Sequence, residues 1–287
     1  MTEPSGTANV RPATLAEARD VTAMHAANRA AWDEAAERYE GWFEEAVELI
    51  RAGRSNLFPV EEELIGDLRA GSGTRRAIHL QCAGGRDSLS LWNLGADEVI
   101  GVDISPRMLA LARRLTDATG ARAQWIEADV LETPHDLDGT ADLVYTGRGA
   151  LIWLQDLDGW AAVVQRLLAP SGRLVVFDGH PAEWLFDADE DGRLIATDYD
   201  YFGGVEASKG WAPEYIDRLS IAEDAQSWKY ARAWTLGEIV TALATAGLRI
   251  ERLVEHPVDW WAGHRDLRPE DRGRIPLSFG LVATGPR

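Results

Sequence analysis

The chain has 287 residues, 46% hydrophobic and 26% charged, values that suit one large globular domain or two small ones with a sizeable buried core. Its 29 Lys and Arg against 47 Asp and Glu leave a net charge of −18, a surface that repels phosphate backbones and argues against DNA or RNA as a partner. No apolar run is long enough to span a bilayer, the first fifteen residues lack the apolar core of a signal peptide, and the single cysteine, Cys82, excludes an internal disulfide, so a cytoplasmic, membrane-free protein is expected. The six histidines show no zinc-ligand spacing, and no metal site is expected. Twelve tryptophans is a high count; most belong to a core, and a few suit a pocket for a flat or cationic ligand.

Residues 1–14 read as a disordered tail and 15–72 as an N-terminal helical cap. In the latter, Val21, Met24, Trp32, Tyr39, Trp42, Val47 and Ile50 recur at roughly helical intervals, with a break near Gly41 and a further helical piece at 60–70. Strand and helix then alternate. Strands are expected at 77–82, 98–103, 123–129, 142–146 and 173–179, and helices at 86–96 and 158–168 and from Ser105-Pro106 to Gly120. Residues 181–233 break this rhythm with an acidic, aromatic insert. Thr235 and Glu238 form a capping box for a helix that runs to Gly247, and 248–256 and 276–284 are two final strands. The alternation predicts an α/β fold: a doubly wound, mostly parallel seven-stranded sheet with an antiparallel last strand, over residues 73–287.

In such sheets ligands bind beyond the carboxyl ends of the strands, where strand order reverses. The first strand ends in Gln81-Cys82-Ala83-Gly84-Gly85, a turn whose small residues let backbone approach a ligand. Asp103, closing the second strand, is placed to accept both hydroxyls of an adenosine ribose. Asp129, after the third, is placed to accept from the adenine amine while Val130 covers the ring. The first-strand motif Asp-x-Gly-x-Gly-x-Gly of class I S-adenosylmethionine-dependent methyltransferases aligns with His79 to Gly85, with only its last glycine kept. A His-Leu-Gln-Cys form followed by Gly-x-Asp-Ser-Leu, here Gly85 to Leu89, occurs in one branch of that family. With Asp103, Asp129, the stretch 142–160 and the terminal strand pair in order, the chain resembles that family, of the bacterial small-molecule, natural-product type, with a Rossmann-like sheet.

The resemblance implies S-adenosylmethionine as cofactor, S-adenosylhomocysteine as product, and a wall of Gln81, Cys82, Ala83, Gly84, Gly85, Asp103, Ile104, Met108, Asp129, Val130 and Thr146. It also puts the N-terminal helix with Tyr39 over the carboxylate end of the cofactor. Methyl transfer needs alignment, exclusion of water and often a base. His180, closing the fifth strand, is the first candidate base or substrate contact, with Tyr39 and His256 behind it. Arg148, Trp228 and Tyr230 are expected around the substrate, and the insert 181–233 as its lid. Cys82 reads as a small buried hydrophobe rather than a nucleophile. The acceptor is expected to be a small aromatic or nitrogen-containing molecule, indole compounds among them. Two alternatives are a nicotinamide-dependent oxidoreductase and a catalytically silent adenosyl-ligand binder. The oligomeric state, with a homodimer as one option, is left open.

Overall fold

The structure, a computed structural model, describes residues 10–69, 75–217 and 219–285. Its main sheet has seven strands: β1 Arg76–Leu80, β2 Glu98–Asp103, β3 Ala123–Glu127, β4 Ala141–Gly147, β5 Leu168–Gly179, β6 Arg249–His256 and β7 Ser278–Thr284. Their spatial order is β6-β7-β5-β4-β1-β2-β3. Strand β7 runs antiparallel to both neighbours, Ser278 facing Gly179 on β5 and His256 on β6, while β1 to β5 pair in parallel. The chain runs outward from β1 to β3 and then returns to lay β4 against the other side of β1, with His79 opposite Tyr145. Strand order therefore reverses between β1 and β4, the place where such sheets open a crevice.

The element starts follow local chemistry. Helices α1 Val21–Gly41, α2 Phe43–Arg51 and α3 Pro59–Ile65 precede the sheet, and α1 and α2 are divided at Trp42, one residue past the expected break. Helix α4 Arg86–Asn93 follows the β1 turn. Helix α5 Pro106–Thr119 begins on Ser105, whose hydroxyl accepts from Met108 N at 3.1 Å, and stops at Gly120, held at φ 70°. Helix α6 Leu157–Leu167 is capped by Asp156 through Gly159 N at 2.8 Å. Helix α7 Leu236–Thr245 carries the Thr235–Glu238 capping box in full.

Both faces of the sheet are covered, and so the inner strands read as unbroken apolar runs. On one face Trp160, Val164 and Leu167 of α6 and Ile239 and Leu243 of α7 pack on Ile78, Val144, Val176 and Leu281. On the other, Leu64, Ile65 and Leu68 pack on Tyr145, Val175 and Phe177. At about 1.5–3 kcal/mol for each fully buried large side chain, these two layers carry most of the driving force for folding.

Two expectations change at the periphery. Residues 1–9 of the expected tail lie outside the described residues, but Arg11–Pro12 pairs antiparallel with Glu206–Ala207, and Arg11 also bonds Glu17 at 2.7 Å. Residues 10–14 are therefore part of the fold, tied down by backbone pairing that hydrophobic pattern does not reveal. The insert 181–233 contains short strands of its own, Phe186–Ala188 with Leu194–Ala196 and Glu206–Ser208 with Lys229–Ala231. No helix among the described residues is long and apolar enough to cross a membrane.

Candidate active site

A cavity of about 440 Å³ lies at the carboxyl ends of four adjacent strands. Asp129 and Val130 beyond β3, Asp103 and Ile104 at β2, Gln81 to Gly85 beyond β1, and Gly147 to Ala150 at β4 line it in succession. At about 4.8 Å between neighbouring strands, the floor spans roughly 14 Å, long enough for a nucleoside with a side arm. The walls and roof come from α1 (His25, Asn28, Trp32, Tyr39), the loop after β4 (Trp153), the insert (Glu214, Tyr215) and the β6–β7 loop (Trp260, Trp261).

The β1 turn explains its own eroded glycine pattern. Gln81, Ala83 and Gly85, the positions of the family's three glycines, all have positive φ, at 59°, 45° and 79°. Two non-glycine residues thus hold a conformation that costs each of them roughly 1–2 kcal/mol, the kind of strain that collects at functional sites. Gly85 alone cannot be replaced in that way. A Cβ there would sit 2.5 Å from the Trp125 ring and 2.8 Å from Ala112, so the surviving glycine is the one required for helix–sheet packing. Cys82 is 3% exposed, and burial pushes its thiol well above the ordinary range, as expected of a small buried hydrophobe.

Asp103 is held by two backbone donors. Ala83 N–H reaches Oδ2 at 2.7 Å and Ser105 N–H reaches Oδ1 at 2.9 Å. Burial pushes its pKa up to about 6, although these amides favour the charged form. Each oxygen keeps a further lone pair, so the carboxylate is fixed in place yet able to accept two hydroxyls.

Asp129 is placed differently. Its Oδ1 accepts from Leu131 N at 3.0 Å, and its Oδ2 lies 2.6 Å from His25 Nδ1. Gln155 N–H donates to His25 Nε2 at 3.1 Å, which leaves Nδ1 as the protonated nitrogen and the donor to Asp129. Burial would raise the Asp129 pKa, but the His25 and Leu131 bonds outweigh it and lower the value. His25 thus ties α1 to the tip of β3 and to the loop before α6.

The roof is aromatic. Trp32 meets Trp153 at 5.5 Å, Trp211 at 4.9 Å and Tyr215 at 6.3 Å between ring centroids, all edge to face. Tyr215 meets Trp260 at 6.0 Å. The hydroxyls of Tyr39 and Tyr215 lie 3.0 Å apart, and burial keeps both protonated, Tyr215 being pushed up to about 12. The insert is fastened to α1 on the same side by Arg38–Asp217 at 2.8 Å, Glu37–Ser220 at 2.6 Å and Glu34–Ser227 at 2.7 Å.

Arg148 stands at the β4 end. Its guanidinium is bound by Glu61, with Nη2 to Oε2 at 2.6 Å and Nε to both oxygens at 3.2 Å. Nη2 also donates to Asn56 O at 2.6 Å. Glu61 is fully buried and also accepts from Phe58 N at 2.6 Å and from the Tyr145 hydroxyl. Asp178, at the end of β5, accepts from Gly149 N at 2.5 Å and Leu151 N at 3.0 Å and so fixes the loop that carries Arg148 and Trp153.

Six of the expected site residues fall outside this cavity wall. His180 is 4% exposed; its Nδ1 accepts from Ala182 N at 3.1 Å and its Nε2 meets Glu255 at 2.8 Å. It caps the turn that follows β5 instead of facing substrate, because the chain turns away from the strand tips at Pro181. His256 sits on β6 opposite Ser278, at the far edge of the sheet. Met108 is fully buried against Ala35, Ala36 and Ile216, and Thr146 is fully buried within β4. Trp228 and Tyr230 pack with Met24 and Ala207, Tyr230 donating to Glu17 at 2.9 Å and Trp228 flanked by Arg11 at 4.8 Å. They fasten the insert to the N-terminal segment; Glu214 and Tyr215 are the insert residues in the cavity wall.

The cavity also contains residues that sequence reasoning passed over: His25, Asn28, His79, Asp87, Trp153, Trp260 and Trp261. A signal existed for the first two. His25, Asn28, Trp32 and Tyr39 share one face of α1 with buried Ala35 and Ala36, so polar and aromatic groups occupy a face that a plain core helix would fill with aliphatics.

These features fit an adenosyl group with an extended arm. A fixed carboxylate waits at a strand tip, Ile104 and Val130 offer apolar shelves beside it, and Gln81 Oε1 is buried at the turn with no hydrogen-bond partner among the described residues. A family model described as "Methyltransferase domain" matches residues 77–172. The demethylmenaquinone methyltransferase of Thermus thermophilus is 40% identical over 84 residues, which is 29% of this chain and 37% of that protein, so the similarity spans little more than a third of the curated relative. Among solved structures, an S-adenosylmethionine-dependent methyltransferase from Mesorhizobium loti superposes with a TM-score of 0.56 at 24% identity over 78% of this chain and 95% of that one. The CcbJ methyltransferase of Streptomyces caelestis gives 0.55 at 20% over 80% and 91%. A glycopeptide N-methyltransferase solved with S-adenosylmethionine gives 0.51 at 15% over 79% and 86%. At these identities the structural matches establish the fold, and the family model places its own match on the strands and turns that build the cavity. Residues 77–172 thus match a methyltransferase domain, set in a chain with the fold of S-adenosylmethionine-dependent methyltransferases.

Proposed function

We propose that the protein transfers the methyl group of S-adenosylmethionine to a small aromatic or nitrogen-bearing acceptor, compounds with an indole ring among them. The observation that carries this reading is the convergence of the strand-tip carboxylate Asp103, the positive-φ turn 81–85 and a roof of tryptophan and tyrosine on one cavity. When bound, the cofactor supplies an electrophilic sulfonium methyl. Asp103 would accept the ribose hydroxyls, and Ile104 and Val130 would offer apolar surface to the base. Asp129, already bonded to His25 and Leu131, positions the wall and keeps spare lone pairs for the adenine amine. Trp32, Trp153, Tyr215 and Trp260 would cover the methyl, exclude water and offer aromatic surface to a flat or cationic acceptor.

The roof offers hydroxyls rather than a base. In the Tyr39–Tyr215 pair one hydroxyl donates to the other, which leaves one hydrogen and free lone pairs for an acceptor heteroatom. Because both remain protonated at neutral pH, the pair orients a lone pair that the acceptor already carries. Neutral amines and electron-rich rings meet that condition. Incubation with methyl-labelled cofactor and a panel of phenols, aromatic amines and indoles tests the proposal. Label is expected on an aromatic or nitrogen-bearing product, with at least a tenfold lower rate for Tyr39→Phe. Bound cofactor with no labelled product from any acceptor would make the protein a silent adenosyl-ligand binder.

A further inference from the structure

We infer that Arg148 and Asp87 form a charge-paired clamp for the amino-acid end of the bound cofactor, Arg148 taking the carboxylate and Asp87 the ammonium; this rests on the adenosyl reading above. With a ribose on Asp103 at the tip of β2, the arm of the nucleoside would run across the β1 turn toward β4, the next strand tips along the cavity floor. Asp87 and Arg148 line the cavity there, at the start of α4 and in the turn after β4.

Each of the two side chains has one end fastened and one end free. Nε and Nη2 of Arg148 are held by Glu61 and Asn56 O, whereas Nη1 has only Asp87 Oδ1 near it, at 3.5 Å, among the described residues. Asp87 Oδ1 accepts from Asn56 Nδ2 at 2.5 Å, and no hydrogen bond reaches its Oδ2 among the described residues. A donor edge and an acceptor edge therefore lie side by side at the cavity wall, the complement of a carboxylate next to an ammonium. Because Glu61 already immobilises the guanidinium, little side-chain entropy remains to be lost on binding.

The backbone is bent to deliver this arginine. Arg148 has φ 58° between Gly147 and Gly149, and a Cβ at Gly147 would sit 2.5 Å from Phe177 O. Strain held by a non-glycine residue between two glycines is typical of a side chain that must point one way. The neighbouring strand has given up its own acid. His79 occupies the first position of the family motif, is bonded to Ser88 at 2.8 Å, and burial lowers its pKa to about 4, so it stays neutral.

Three probes separate the two charges: S-adenosylhomocysteine, its decarboxylated analogue S-adenosyl-3-thiopropylamine, and 5′-methylthioadenosine, which lacks the whole amino-acid end. Calorimetric titration of Arg148→Lys, which keeps a cation beside Glu61, is expected to show at least tenfold weaker S-adenosylhomocysteine binding. Affinity for the other two should stay within twofold. Asp87→Asn should weaken both amine-bearing ligands about tenfold and leave methylthioadenosine unchanged. Equal losses for all three probes, or no loss for any, overturn the clamp while leaving the adenosyl site standing. Failure of the unsubstituted protein to bind any of the three overturns both readings.

Discussion

The two halves of the cavity floor are built on opposite terms. The β2–β3 half presents a carboxylate held by two backbone amides and open to a ligand, with apolar shelves beside it. The β4 half presents an arginine whose Nε and Nη2 are bound to a fully buried glutamate. The first arrangement places its charges for binding and adds little to stability. The second is a structural ion pair that also lines a site, so a change there strikes folding and binding together. Substitutions that separate these effects sharpen the contrast.

The largest effect is expected where the buried pair is broken. Arg148→Met leaves Glu61 with an uncompensated charge, a situation that costs about 3–5 kcal/mol. A urea titration should show the loss as a lower midpoint with an unchanged slope. A loss below about 1 kcal/mol would mean that Glu61 is neutral and that the two halves do not differ in this way.

On the other side, Asp103→Ala releases two backbone amides but also removes a buried charge, so stability should change less than in Arg148→Met, while S-adenosylhomocysteine binding weakens by about 1–3 kcal/mol. The pH dependence follows from the same residue. Its pKa in the ligand-free protein is raised to about 6, so the folded carboxyl is protonated below that pH, and only the ionised form accepts two hydroxyls. Affinity should therefore be flat above about pH 7 and fall as pH drops through 6, by at most about tenfold per unit. Asp103→Asn should abolish the dependence, and titrations between pH 5 and 8 measure it.

The sequence disclosed much of the first half and little of the second. Strand-tip acids announce themselves, because Asp103 and Asp129 end apolar runs followed by helix or turn signals. The order of strands and helices likewise follows from hydrophobic period, and the seven strands match it to within two residues at each end, except that β5 begins at Leu168, five residues before the expected start. The Glu61–Arg148 pair joins residues 87 apart, and Glu61 sits in an acidic stretch that reads as a solvated helix face. Nor did local pattern reveal that the chain turns away after His180, or that Trp260 and Trp261 fold back from the β6–β7 loop to meet Tyr215 and Trp184. Such contacts are set by packing between distant segments, on which periodicity is silent.

A third, comparable effect tests the packing behind the roof. Glu183 is buried, bonded to Trp261 Nε1 at 3.2 Å, and burial raises its pKa to about 8. The folded state then keeps a proton that the unfolded chain has lost, so stability falls as pH rises from about 4.5 through 8. Glu183→Gln retains an acceptor for Trp261 and removes that dependence. The variant should gain about 1–3 kcal/mol over the parent between pH 5 and pH 9, read from thermal or urea unfolding at each pH. The smallest effect belongs to the β1 turn. Ala83→Gly relieves a residue held at φ 45° and should stabilise by up to about 1 kcal/mol, partly offset by the greater freedom of glycine in the unfolded chain.

The central claim is that Asp103 and the β1 turn grip an adenosyl group. The most direct measurement is calorimetric titration of the protein and of Asp103→Ala with S-adenosylhomocysteine and, in parallel, with NAD at pH 7.5. Saturable binding of S-adenosylhomocysteine is expected, weakened about tenfold or more in the variant, with no comparable heat from NAD. Equal affinity of parent and variant, or preference for NAD, would contradict it.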